Sequence, residues 1–415
     1  MKPNLSISTT NKDAEQRIVL EKWVDCGFKG TYLGATGLGK CKIGVMAAGN
    51  DIKEYLRKYK GIPSWLIVVP TENLRDNEWI KEFKKWGYED ELDYVTLECI
   101  QTAYKRSGEY FKGLIVDEVH TALSPEYKKL LQNNHFDKIL CLTATIDDPE
   151  KKEFLEKYAP IFYETSLSKA KELEIVSNFK IFNLPIALTE AELKEYAEAD
   201  DAFNKYFSTF DTAQGRSFAL VKACMNKNKA RHWAGCIKGN GETVRNHAFK
   251  VMGAIRKRKK ICYDAINKIQ AVKDINKIFK DKKTIVFSES IAFADEVKKA
   301  LENNCVVYHS KITEKRKKEA LEAFKDNCNV LSTVKALNVG FNVPACSLGI
   351  IASGSSKSLD LLQRLGRTLR WEDDKLAIFI QLYVKDSQEQ KWVEKRCKNV
   401  AEVVWIKNIE ELKSY

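Results

Sequence analysis

Gly34-Ala35-Thr36-Gly37-Leu38-Gly39-Lys40 follows the apolar run Thr31-Tyr32-Leu33 and leads into Cys41-Lys42-Ile43-Gly44-Val45-Met46-Ala47-Ala48. That order predicts a strand, a glycine loop and a helix. Such a loop leaves backbone N–H groups free to wrap a chain of phosphates, aims a helix N-terminus at it, and adds a lysine for the outer phosphates. Residues 34–41 are therefore the expected nucleotide site. Cys41 stands where such a loop offers Mg2+ a hydroxyl, and a thiol is a soft ligand for a hard cation. Gln16 lies on a predicted helix over 12–30. Its amide can donate to and accept from an adenine edge.

Moving outward, uninterrupted apolar runs mark strands buried on both faces. Trp65-Leu66-Ile67-Val68-Val69 ends in Pro70-Thr71, and Val95-Thr96-Leu97-Glu98-Cys99 is followed by Gln101-Thr102. Gly113-Leu114-Ile115-Val116 ends in Asp117-Glu118-Val119-His120, and Lys138-Ile139-Leu140-Cys141-Leu142 ends in Thr143-Ala144-Thr145. Strands alternating with helices predict a parallel α/β sheet, whose ligands bind at the C-terminal strand ends, where these polar clusters lie. A second series begins near Lys283, with strands at 284–287, 305–308, 329–331, 348–351, 377–384 and 403–406. Its clusters are Val339-Gly340-Phe341-Asn342-Val343-Pro344 and Gln363-Arg364-Leu365-Gly366-Arg367-Thr368-Leu369-Arg370.

Between the two series, roughly 185–280, helical spacing takes over. Residues 185–214 carry net charge −5, whereas 220–262 hold twelve Lys/Arg and one acidic residue, net +11 against +12 for the whole chain. A long helix is predicted over 246–279, bearing the run Arg256-Lys257-Arg258-Lys259-Lys260. Such a concentration releases phosphate counterions and predicts sequence-independent, salt-sensitive binding to nucleic acid. A solvated basic helix, or one paired with the acidic segment, is the competing expectation. The boundaries expected are 1–175 for the first α/β unit, 176–280 for the helical insert and 281–415 for the second unit.

The rest of the composition excludes several classes. With 44% hydrophobic and 30% charged residues and no run of 18 uncharged apolar residues, no membrane partner is expected. The polar N-terminus predicts no secretory leader. Eleven cysteines without a Cys-x-x-Cys pair predict free thiols in a reducing cytoplasm.

Asp117 and Glu118 are adjacent carboxylates behind a buried strand. ATP hydrolysis needs one carboxylate to hold Mg2+ and another to polarise the attacking water, and these two fit in that order. Cys41 would be a weak second Mg2+ contact. Arg367 and Arg370, three apart on a helix, can supply positive charge to the γ-phosphate.

This set resembles the superfamily 2 helicases and translocases over nearly the whole chain. Gln16 resembles the Q motif, residues 35–40 motif I, Thr71 motif Ia, Gln101 and Thr102 motif Ib, residues 117–120 motif II, and Thr143 to Thr145 motif III. In the second unit, residues 285–288 resemble motif IV, 331–342 motif V and 363–370 motif VI. The Asp-Glu-Val-His box and the Gln opening motif VI look more like the DNA-directed UvsW- and XPB-like branch than the DEAD-box RNA helicases. The resemblance implies two RecA-like lobes with a basic helical insert, and ATP and Mg2+ as cofactors. It implies Gly340, Asn342 and Gln363 at the nucleotide, and His120, Thr143 and Thr145 as coupling residues. Thr71, Gln101, Thr102 and Ser288 would touch nucleic acid, joined by Arg245 and residues 256–260 of the insert. The expectation is a monomeric ATP-driven DNA helicase or translocase on single-stranded, duplex or branched DNA, of bacteriophage origin, with replication or recombination partners. An RNA helicase and a non-hydrolysing nucleic-acid clamp are the alternatives.

Overall fold

The computed structural model describes residues 10–35, 37–146, 148–176, 178–213, 215–334, 346–354, 376–397 and 403–415. Thr36, Gly340, Asn342, Gln363, Arg367 and Arg370 lie outside the described residues.

The apolar runs fold as their lack of alternation requires. Strands β1 (Lys29–Gly34), β2 (Trp65–Val69), β3 (Val95–Cys99), β4 (Tyr110–Asp117), β5 (His135–Thr143) and β6 (Ile161–Thr165) form one sheet in the order β3-β2-β4-β5-β1-β6. All its pairs are parallel. β2 is buried along its whole length because helices cover both faces. Parallel pairing puts Gly34, Val69, Cys99, Asp117 and Thr143 on the same edge of the sheet, so the loops that follow them share one rim.

The chain then enters a second sheet with β7 (Asn178–Ile186) and leaves it for helices and the short hairpin of β8 (Asp211–Thr212) and β9 (Gly215–Arg216). It returns with β10 (Thr284–Ser288), β11 (Cys305–Tyr308), β12 (Val330–Val334), β13 (Leu348–Ile351), β14 (Leu376–Val384) and β15 (Val403–Trp405). The order is β11-β12-β10-β13-β14-β7-β15, again parallel. Two parallel sheets with helical regions are the expected α/β architecture of two RecA-like units.

Neither β6 nor β7 was predicted. Two expected helices also change. The predicted 12–30 helix is Asn11–Asp25, ended by Gly27 (φ +77°) and Phe28 (φ +64°), which turn the chain into β1. The predicted 246–279 helix is two, Gly241–Asp264 and Ile266–Ile278. Ala265 leaves helical geometry at ψ 125°, and the freed Ile266 N–H donates to Glu192 Oε1 at 2.9 Å.

The helices Glu190–Phe207, Phe218–Cys224, Lys227–Cys236 and Gly241–Asp264 enclose a small core of their own around Phe210, Val221, Val244 and Val251. Among the described residues no helix is long and apolar enough to cross a membrane, and no three His, Cys, Asp or Glu side chains gather into a metal cluster. All eleven cysteines are free.

Candidate nucleotide site and nucleic-acid interface

The glycine loop joins β1 to the helix Lys40–Lys58. Gly37 (φ +92°) and Gly39 (φ +73°) are left-handed, a conformation that a side chain would strain. A Cβ on Gly39 would also lie 2.6 Å from Gln16 Nε2. Lys40 is buried and donates from Nζ to the Gly34 carbonyl at 3.1 Å, so its ammonium spans the loop it would share with phosphates.

Gln16 is buried beneath the loop and donates from Nε2 to the Leu38 carbonyl at 2.8 Å. Its Oε1 accepts no hydrogen bond among the described residues. One half of the amide thus shapes the loop and the other half is unengaged. Glu15, also buried, accepts from Thr165 Oγ1 at 2.6 Å, which in turn accepts from Tyr32 OH at 2.9 Å. Glu15 therefore braces β1 against β6.

Asp117 ends β4. Its Oδ2 lies 3.9 Å from Cys41 Sγ and accepts from Trp79 Nε1 at 3.2 Å. Burial, and after it the charge of Glu118, push the Asp117 carboxyl up to about 6. The Cys41 thiol is pushed well above its ordinary value, first by burial and then by Asp117. The thiol is consequently neutral at physiological pH, a poor ligand for a hard cation. Mg2+ is nevertheless compatible with the donor set: a carboxylate at the rim, the phosphate cradle beside it, and only a weak contact from position 41.

Trp79 is a positioning residue that sequence reasoning missed. The signal for it was Gly44, in the interior of the loop's helix, where a Cβ would lie 2.6 Å from Trp79 Cη2. The glycine opens the slot that lets the indole reach Asp117.

Glu118 occupies the left-handed region at φ +47°, which costs a non-glycine residue about 1–3 kcal/mol. The conformation is held by Glu118 N donating to Asp117 Oδ1 at 3.0 Å and by Thr121 Oγ1 donating to the Glu118 carbonyl at 2.8 Å. Glu118 Oε2 is buried and accepts no hydrogen bond among the described residues; His120 Nδ1 is 3.4 Å away. That imidazole nitrogen is nearer to Thr143 Oγ1, at 2.9 Å, and Thr143 Oγ1 donates to the Thr145 carbonyl at 3.3 Å. A chain of contacts therefore runs from Glu118 across the end of β5.

Further along the rim, Gln101 Nε2 donates to the Pro70 carbonyl at 3.5 Å, linking the turns after β2 and β3. Thr102 is exposed, and Thr71 Oγ1 is buried with no partner among the described residues. Ser288, at the end of β10, is buried and donates to the Ser290 carbonyl at 2.9 Å. In the insert, Arg245 and Arg256 are exposed. Lys257 pairs with Glu198 at 3.9 Å and Lys260 with Asp264 at 2.6 Å. Lys259 lies 5.1 Å over the Trp392 ring. Arg258 is buried, ion-paired to Asp200, with its guanidinium 3.8 Å over Phe203. The acidic segment thus takes part of the basic run into the fold and leaves the remainder outside.

Two parallel, RecA-like sheets with a glycine loop on the first make a bilobed α/β fold of the helicase kind. Two family models match the chain in order: the res subunit of type III restriction enzymes over 11–148 and the helicase conserved C-terminal domain over 267–372. Together they make the domain architecture of a superfamily 2 helicase or translocase, an ATP-binding, nucleic-acid-directed machine. Among curated proteins, the DNA 3'-5' translocase XPB2 of Sulfurisphaera tokodaii is 27% identical over 353 residues, which cover 80% of this chain and 74% of that protein. Among solved structures, the Hef helicase domain of Pyrococcus furiosus matches with TM-score 0.53 at 17% identity, covering 91% of this chain and 97% of that one. S. cerevisiae Dbp5 bound to RNA and ADP BeF3 matches with TM-score 0.58 at 11% identity, covering 96% and 91%. Both are likenesses of fold.

Proposed function

We propose that this protein is an ATP-dependent DNA helicase or translocase of the DExH kind, which couples ATP hydrolysis to closure of its two units and to movement on, or remodelling of, duplex or branched DNA. The observation that carries the reading is Glu118: a half-buried side chain on left-handed backbone, its Oε2 buried and unengaged among the described residues, next to the carboxylate that faces the phosphate loop. Left-handed backbone also serves turns such as that at Phe28, and at Glu118 it gains weight from Asp117 and the glycine loop beside it.

In this reading Lys40 and the loop amides hold the phosphates, and Gln16 presents Oε1 to the adenine amine. Asp117, with a weak contact from Cys41, would hold Mg2+, which when bound neutralises phosphate charge. Glu118 accepts a hydrogen bond from the attacking water and orients it. Gln363, Arg367 and Arg370 would complete the site from the second unit, with Gly340 and Asn342 at the nucleotide. His120, Thr143 and Thr145 join the hydrolysing carboxylate to the rim where Thr71, Gln101, Thr102 and Ser288 would meet nucleic acid. DNA is favoured over RNA because the relative found by sequence is named as a DNA translocase. A monomer in the cytoplasm, working beside replication or recombination proteins, fits this role. The expectation of a bacteriophage origin rests on the compact insert alone, and that relative is archaeal.

The deciding experiment is ATP turnover with single-stranded DNA, duplex DNA, branched DNA and RNA, with Glu118→Gln in parallel. DNA should stimulate turnover, and Glu118→Gln should remove it while nucleotide binding persists. Stimulation by RNA alone would replace the substrate, and no stimulation by any of the four would leave the clamp.

A further inference from the structure

The helix Gly241–Asp264 buries Val244, Ala248, Val251 and Ala254 and leaves its other face uncovered. That face carries Arg245, Phe249, Gly253, Arg256 and Lys260, one residue per turn and all exposed. Together they span about 22 Å at 1.5 Å per residue.

Gly253 is the anomaly. It sits in the interior of a 24-residue helix, and a Cβ there would meet nothing within 4 Å. Neither packing nor a left-handed backbone calls for glycine, so the helix forgoes the stability that alanine would supply. What a bare position does permit is close approach of another molecule to the helix backbone.

The groups around it have the character of a polyanion seat. Arg256 has no carboxylate partner among the described residues, whereas Lys257, one turn beyond Gly253, has Glu198 at 3.9 Å and Arg258, on the buried side of the helix, has Asp200. Arg245 donates from Nε to the Met225 carbonyl at 3.1 Å, and its guanidinium lies 5.2 Å over Phe249. Phe249 is 44% exposed. Lys260 reaches Asp264 at the far end. There Lys259 caps Trp392 and Tyr263 packs against the same indole at 6.4 Å, so the face runs onto the helix Gln388–Cys397 beside the second sheet.

We propose that this face is a track for one strand of DNA, whose backbone crosses the helix at Gly253 between Arg245 and Arg256 while a base stacks on Phe249. The assignment of a single strand comes from the phenylalanine. A duplex has no free base face to offer its ring, and alternating cations and aromatics are the usual platform for unpaired bases. The proposal rests on the nucleic-acid motor reading above.

The test uses the full chain, a fluorescent oligodeoxythymidine, a duplex and an RNA of equal length, with thermal unfolding measured alongside. Gly253→Leu should unfold at the same or a higher temperature, yet bind the single strand about tenfold more weakly, because its side chain fills the crossing point. Phe249→Ala should lose a similar factor on the single strand and little on the duplex. Arg256→Ala should lower the slope of log K against log salt by about 0.7. Single-strand affinity unchanged in Gly253→Leu would overturn the track, as would equal losses on single strand and duplex, or a larger loss on RNA than on DNA. If the parent chain binds none of the three nucleic acids, the motor reading fails. If the parent binds and the variants bind alike, only the track fails.

Discussion

Lys268 and Glu389 form a fully buried ion pair whose disruption is the sharpest test of the packing described here. The ammonium, with no exposed surface, donates to Glu389 Oε2 at 2.7 Å, to Glu389 Oε1 at 2.9 Å and to the Ala352 carbonyl at 2.6 Å. Glu389 Oε2 also accepts from Val384 N at 2.8 Å. Lys268→Met keeps the aliphatic stem but leaves a buried carboxylate with a single backbone donor and a carbonyl short of its ammonium. Removing one partner of a buried pair costs about 3–5 kcal/mol, whereas replacing both with apolar groups is nearly neutral. We therefore expect Lys268→Met to destabilise the second unit by about 4 kcal/mol, lowering its melting temperature by roughly 10 °C. Lys268→Met with Glu389→Leu should recover more than half of that loss. Calorimetry of the two single variants and the double variant closes the cycle. A Lys268→Met cost below about 1 kcal/mol, or no recovery in the double variant, would refute the reasoning.

Cys41→Ser should keep or raise Mg2+-dependent ATP turnover and abolish any advantage of the thiophilic Cd2+, whereas Lys40→Ala should abolish turnover; a clear loss in the serine variant would give the thiol another role. Asp117 takes up its proton near pH 6 in the fold but near 3.8 unfolded, so above pH 6 the ionised carboxylate burdens the native state. Asp117→Asn should then stabilise the metal-free protein by at most about 3 kcal/mol at pH 8, the gain shrinking as pH falls through 6 towards 4; urea unfolding in chelator at several pH values reads this directly. Arg258→Ala should destabilise the insert by about 2 kcal/mol through loss of Asp200 and Phe203, whereas Arg256→Ala should stay within about 0.5 kcal/mol in the same thermal assay.

What was legible in the sequence was whatever depends on short stretches. Runs such as Trp65 to Val69 have no polar alternation and can only be strands buried on both faces, and the clusters after them fall on one rim because parallel pairing puts them there. β7 was hidden because Asn178, Lys180, Asn183 and Pro185 interrupt its apolar residues, and it is a strand by virtue of β14 and β15 on either side. The Asn183 amide is acceptable at that depth because Gln381, its register partner, donates to its Oδ1 at 2.8 Å and its Nδ2 donates to Cys397 Sγ at 3.8 Å. No window around either residue shows that pairing. The break at Ala265 was equally illegible, since alanine favours helix; it follows from where Glu192 and the second sheet hold the next helix. In the site, Lys40, Asp117 and Glu118 could be read from spacing, but Trp79 reaches Asp117 from a different helix. Arg258 looked like its four basic neighbours until Asp200 was seen opposite it.

The position of β7 bears on how the chain is made. Its pair Asn183 and Gln381 are 198 residues apart, and β15 is more distant still. At a synthesis rate of about 5–20 residues per second, β7 has emerged for roughly 10–40 seconds before either neighbour exists. In that interval the first sheet has all six strands and can close, while β7, with Phe179, Ile181, Phe182 and Leu184 destined for the interior, has neither of the strands it pairs with, even after β10 to β13 have emerged. The nascent protein therefore spends that interval with its first sheet complete and β7 still without a neighbour. During that interval a chaperone has most to protect.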